Sequence, residues 1–120
     1  MRKLLAILMA AVVSLGMIKA HVSWNPNTEP DMAYYRLQRA VGDTSEWVEF
    51  KIVHPETTYV DTLLPEWGGK RVFYRLAAVD TAGNSSAFCD PVSIVVPDVI
   101  APEVPAGIRV KVIVEIETLP

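Results

Sequence analysis

Six short runs in which apolar and polar residues alternate, each closed by turn-forming residues, constrain this chain to an all-β architecture. A period of two puts successive side chains on opposite faces of an extended strand, one dry and one wet. "HVSW" (residues 21–24) is the first run, and "NPNTEPD" with its two prolines ends it. In "AYYRLQRAV", Tyr35 and Leu37 alternate against Arg36 and Gln38 until "GDTS" breaks the pattern. "EWVEFKIVH" sets Val48, Phe50 and Ile52 on one face and Trp47, Glu49, Lys51 and Val53 on the other. "TTYVDTLL" follows, then the loop "PEWGG", then the longest run, "KRVFYRLAAVD", in which Val72, Tyr74, Leu76 and Ala78 share a face. "TAGNSS" predicts a tight turn, because Gly83 and Asn84 both tolerate positive φ. The last run, "AFCDPVSIVV", contains Pro91. Proline cannot donate to a ladder, so that half belongs to a sheet edge or a bulge. Six strands at intervals of about ten residues, with helix signals nearly absent, predict an antiparallel β-sandwich.

The first twenty residues have a different character. "MRK" is a short basic start, Leu4 to Ile18 is almost wholly apolar, and Lys19 and Ala20 close the segment. This order predicts a secretory signal peptide over residues 1–20, cleaved after Ala20. About fifteen apolar residues are short for a bilayer span, so the mature chain is expected to be secreted, periplasmic or extracellular, without stable membrane insertion. Removal of Arg2, Lys3 and Lys19 from 11 basic residues leaves 8 against 14 acidic ones, a formal charge of −6. Nucleic acid and anionic lipid both require clustered Lys and Arg, so they are excluded as expected partners. The single cysteine, Cys89, allows no intrachain disulfide. Stability must then come from packing, and Cys89 is expected as a small apolar residue beside a strand.

"VSWNP", "YYRLQR", "TTYVDTLL" and "YRLAAVDTAGNSS" occur in an order and spacing that resembles a fibronectin type III domain, an immunoglobulin-like sandwich, over about residues 21 to 97. "AVDTAGN" is similar to a segment common in bacterial and bacteriophage members. The resemblance implies that Trp24 is the core tryptophan of the second strand, that Tyr35 and Leu37 point inward from the third, that Tyr59 and Leu64 flank the fifth, and that Tyr74, Leu76 and Ala78 line the sixth. Two departures stand out. Val72 occupies the position of the tyrosine-corner residue. The family's first strand is also missing, since only three residues precede Trp24 after cleavage at Ala20. One sheet edge would then be unfilled, with apolar core and unpaired backbone exposed.

The other end of the chain carries a counterpart. Past a proline-spaced linker (residues 98–105), residues 106–120 open with "AGIRVKVIVEI". Ile108, Val110, Val112, Val114 and Ile116 alternate with Arg109, Lys111, Ile113 and Glu115, which predicts an amphipathic strand. Together with the linker, its "P-x-x-P-x-G-I-x-V" order resembles the opening of a fibronectin type III domain. The expected arrangement is a return in cis onto the same domain. Exchange in trans, with the tail completing a neighbour head to tail, is the alternative, and a retained leader supplying the strand from "AAVVSL" is a third. Nine linker residues, Pro97 to Pro105, reach roughly 28 Å at the polyproline rise. A seven-residue strand is about 24 Å long, so a cis return would leave almost nothing for rounding the edge.

Chemistry is hard to find. His21 and His54 lie in different elements without Cys or carboxylate at ligand spacing, and no carboxylate pair, phosphate loop or nucleophile elbow is present. No catalytic residue, metal or cofactor is predicted. Asp80 and Asn84 bracket a turn, where such side chains usually cap local backbone. "NSS" at Asn84 matches a glycosylation acceptor relevant to a eukaryotic secretory route. Exposed tryptophans stack on sugars or anchor protein interfaces, and Trp47, Trp67, Tyr34 and Arg36 form the candidate binding patch. The expected function is a non-enzymatic exported binding or adhesion module that contacts a protein or glycan of a cell surface, envelope or virion. The alternative is a structural subunit, a homo-oligomer joined by strand exchange.

Overall fold

A computed structural model of the chain describes residues 17–116. Its six strands are β1 (Ile18–Ser23), β2 (Met32–Val41), β3 (Val48–Val53), β4 (Thr58–Leu63), β5 (Arg71–Asp80) and β6 (Val92–Val95), with one short 3-10 turn at Pro65–Trp67. They form two antiparallel sheets, β1-β4 and β3-β2-β5-β6, so the protein is an all-β sandwich. Most of the expected signal peptide lies outside the described residues. Its last residues do not: β1 begins at Ile18, three residues before the expected start at His21, and pairs Ile18, Lys19 and Ala20 with Leu63, Thr62 and Asp61. The period-two pattern runs unbroken back through Ala20 to Ile18, which is why the strand extends there.

The alternating residues meet between the sheets. Tyr35, Leu37, Ile52, Leu63, Val72 and Tyr74 form the buried cluster, and Trp24, Phe50, Tyr59, Leu76 and Ala78 pack against it. Trp24 meets Tyr35 edge to face at 5.4 Å, and Phe50 stacks on Tyr59 at 4.8 Å. On β4 the inward residues are Tyr59, Asp61 and Leu63; Leu64, expected to flank this strand, follows its last residue and is exposed.

Asp61 puts a charge into this core. Its carboxylate accepts from Arg39 Nη1 at 2.7 Å and from the Tyr74 hydroxyl at 2.7 Å, joining β4 to β2 and β5 across the sandwich. Burial raises the Tyr74 hydroxyl above its ordinary value, and the bond to Asp61 raises it further. The Arg39 guanidinium also lies 5.3 Å from the Phe50 ring and 4.9 Å from Trp67.

At the β5–β6 end the turn closes around Asp80, as its sequence position predicts. Asp80 Oδ1 accepts from the amides of Ala82 and Asn84, and Oδ2 from the Asn84 amide group. These bonds, that of the Asn84 side chain first, hold the Asp80 carboxyl below the usual carboxylate range. Gly83 takes φ +88°, whereas no non-glycine residue among those described has positive φ, so Asn84 does not use that freedom. The segment before Pro91 still runs beside β5, with Ser86 and Cys89 amides donating to Ala78 and Leu76 carbonyls, but the strand proper starts only at Val92. Cys89 lies beside β5, as expected of it, and is exposed there.

The tail corrects the expectation of a cis return. Among the described residues no strand follows Val95, and Ile108, Val110, Val112, Val114 and Ile116 are 78 to 90% exposed. The sandwich ends where Val96, fully buried, exchanges bonds with Gly69 and Lys70.

Candidate functional site

Two surfaces hold the residues singled out by the sequence. The first is the outer face of the four-stranded sheet. Cross-strand register places Glu49, Gln38 and Arg75 side by side on β3, β2 and β5. Arg75 Nε donates to Gln38 Oε1 at 2.8 Å, Gln38 Nε2 to Glu49 Oε1 at 2.9 Å, and Arg36 Nε to the same oxygen at 2.8 Å. The Arg36 bond, then that of Gln38, holds the Glu49 carboxyl below its usual value. Arg75 lies 4.0 Å from the Trp47 ring and 4.4 Å from Phe88, which also receives Arg36 at 4.9 Å. Lys51 covers Tyr34 at 4.3 Å.

Three of the four predicted patch residues, Tyr34, Arg36 and Trp47, therefore share this face. Trp67 does not. It sits in the 3-10 turn and packs against the core beside Arg39, an inward residue of β2. Arg75 and Phe88 are the members that sequence reading missed. Arg75 joins through register, and Phe88 through a segment that the Pro91 break lets lie over the sheet. Each cation here already has an anionic, amide or aromatic partner, so the face is a closed network.

The second surface is the flank between β1 and β6. Val92 and Ile94 pair with Tyr74 and Val72, whose side chains are in the core. Directly opposed residues of a pair point to the same face, so Val92 and Ile94 point inward. They are nevertheless 66% and 44% exposed. The reason lies in the other sheet: β1 is its last strand on this side, and among the described residues its second edge has no partner. The gap is a cleft of about 330 Å³ between Ala20 and Val22 of β1 and Val92 and Ile94 of β6, with Tyr74 at its floor. A further 200 Å³ opens from the same Val22, Tyr74 and Val92 toward Trp24, Leu37 and Leu76. The Trp24 indole nitrogen, at that end, is buried without a hydrogen-bond partner.

An unpaired main-chain edge beside a dry trough of this length has the geometry of β-augmentation, in which backbone bonds supply affinity and alternate side chains fill the trough. Among the described residues, no three His, Cys, Asp or Glu side chains could together hold a metal ion, and no helix is long and apolar enough to cross a membrane. Compared with family models and with curated proteins, the chain matches none.

Proposed function

We propose that this protein is a non-enzymatic binding module that makes its contact by taking an extended β-segment into the flank between β1 and β6. The observation that carries this reading is the exposure of Val92 and Ile94, residues whose register turns them toward the core. A strand laid beside β1 would cover both and pair the open edge in one step. At about 1.5–3 kcal/mol per fully buried aliphatic side chain, covering them is a substantial driving force even when burial is partial.

The pairing order supports a sandwich of fibronectin type III kind with no first strand among the described residues. In that reading β1 and β4 are its second and fifth strands, and β3, β2, β5 and β6 form the larger sheet. A leader cleaved ahead of β1, so that Ile18 to Ala20 stay in the mature chain, would put the partner outside the cell, at a surface, envelope or virion. The outer face is a weaker contact, because Arg36, Gln38, Glu49 and Arg75 already satisfy one another.

Binding of labelled nonapeptides, followed by fluorescence anisotropy, tests this reading. Peptides of alternating apolar and charged residues, unrelated to this chain, should bind the protein ending at Pro105 at least tenfold more tightly than scrambled versions. Val92→Lys with Ile94→Lys should remove binding and Trp47→Ala should not. No preference for alternation, or loss of binding in Trp47→Ala alone, would refute the proposal.

A further inference from the structure

The occupant of the flank can be named from the same chain. Residues 108–116 have five apolar side chains on one face of an extended segment, and nothing in their own domain covers them. The flank between β1 and β6 presents Ala20, Val22, Val92 and Ile94 to a segment that must itself be dry on one side and extended. The chain thus carries a donor and an acceptor that do not meet within one molecule. The linker explains the separation: at roughly 28 Å fully stretched, it is barely long enough to carry the tail back to the far pole of its own sandwich.

Orientation follows from charge and register. β1 turns Lys19, His21 and Ser23 outward, and the tail turns Arg109, Lys111, Ile113 and Glu115 to its wet side. Run parallel to β1, the tail would bring Arg109 and Lys111 to the Lys19 end. Run antiparallel, it brings Glu115 opposite Lys19 and sets Val114 beside Ala20 and Val112 beside Val22, so that every dry residue faces the trough. Like charges directly opposed are destabilising and opposite charges favourable.

We infer that residues 108–116 of one copy fill the flank of a second copy, antiparallel to its β1, and join copies of this protein by strand exchange. This inference rests on the flank's taking up a β-segment, and its test separates the two. Heterologous contact of this kind closes into rings or propagates as filaments.

The decisive experiment mixes two variants of the full chain, purified as its host produces it and with the N-terminus read by mass spectrometry. Val112→Lys blocks the donor; that residue is 82% exposed, so the sandwich is untouched. Val92→Lys with Ile94→Lys blocks the acceptor, and its thermal melt confirms folding. Sedimentation should show concentration-dependent oligomers for the unaltered protein, monomers for each variant alone, and a one-to-one complex on mixing. In that complex, with Cys89→Ala in both chains, His21→Cys of the acceptor should cross-link to Ile113→Cys of the donor. A free peptide of residues 104–120 should dissolve the unaltered oligomers.

A monomeric unaltered protein, assembly that survives Val112→Lys, or a retained leader cross-linked to β1 would overturn the inference. If unrelated alternating peptides bind and the tail peptide does not, exchange fails and the binding reading stands. If neither binds, both fail.

Discussion

The two borders of this sandwich are built from the same kind of strand and end in opposite states. On the β4 side, residues from both sheets meet: Phe50 stacks on Tyr59, Leu63 is 1% exposed, and Asp61 receives Arg39 and Tyr74 from the facing sheet. On the β6 side, β1 has no second partner among the described residues, and Val92 and Ile94 look inward at a cleft. The difference shows one edge closed by side chains from both sheets while the other leaves apolar residues uncovered. Buried contacts are concentrated where both sheets contribute side chains, and exposed inward residues where only one does.

Substitutions on the closed border should cost the most. Asp61→Ala removes the buried anion that Arg39, itself mostly buried, pairs with and should destabilise the fold by about 3 kcal/mol, read as a lowered denaturation midpoint in urea. A loss below about 1 kcal/mol would mean that Arg39 finds water or another partner, and the border would be less closed than described.

Tyr74→Phe keeps the ring and removes one donor from Asp61, for an expected loss of about 1–3 kcal/mol. It also carries a pH signature. The folded-state value of Tyr74 is raised above the ordinary 10.0, so its contribution is fully present below about pH 10 and is lost as pH rises toward the folded value. Alkaline unfolding should begin there in the unaltered protein and be blunted in Tyr74→Phe. Equal alkaline slopes in the two proteins would contradict the bond.

Smaller effects are expected on the outer face. Glu49 has a lowered folded-state value, so its contribution is present above the ordinary 4.5 and is lost as pH falls through the folded value. The pair is largely exposed, so Glu49→Gln should cost below about 1 kcal/mol and flatten the acid limb of a stability–pH curve. On the open border, Val92→Ala should change the stability of the isolated domain by no more than about 0.5 kcal/mol. A cost comparable to that of a core residue would show that the flank is already covered in solution.

Much of this contrast was legible in the residues. Period-two runs located all six strands, and Pro91 marked the edge character of the last one, because both are local properties of the backbone. What escaped depends on distance in space. Register decides that Arg75 stands beside Gln38 and reaches Trp47, and no local pattern encodes that placement. Its loop position predicts Trp67 at the surface, but a single 3-10 turn folds it against Arg39. Leu64 and Leu63 are adjacent leucines, and only the pairing parity chooses between them. β1 starts three residues earlier than its sequence predicts, because the apolar run before it resembles a leader and hydrophobicity alone does not separate a strand from an export signal. The tail is the sharpest case. Its alternation records a capacity to pair, not the chain that it pairs with.

Amide hydrogen exchange on the unaltered protein, compared with the Val112→Lys variant at the same concentration, tests strand uptake at the open flank most directly. Protection gained together by Lys19 to Ser23 and by residues 108–116, and lost together in Val112→Lys, is the predicted result. Tail amides that exchange at the rate of an unstructured peptide in the unaltered protein, with β1 unaffected by the substitution, would contradict it.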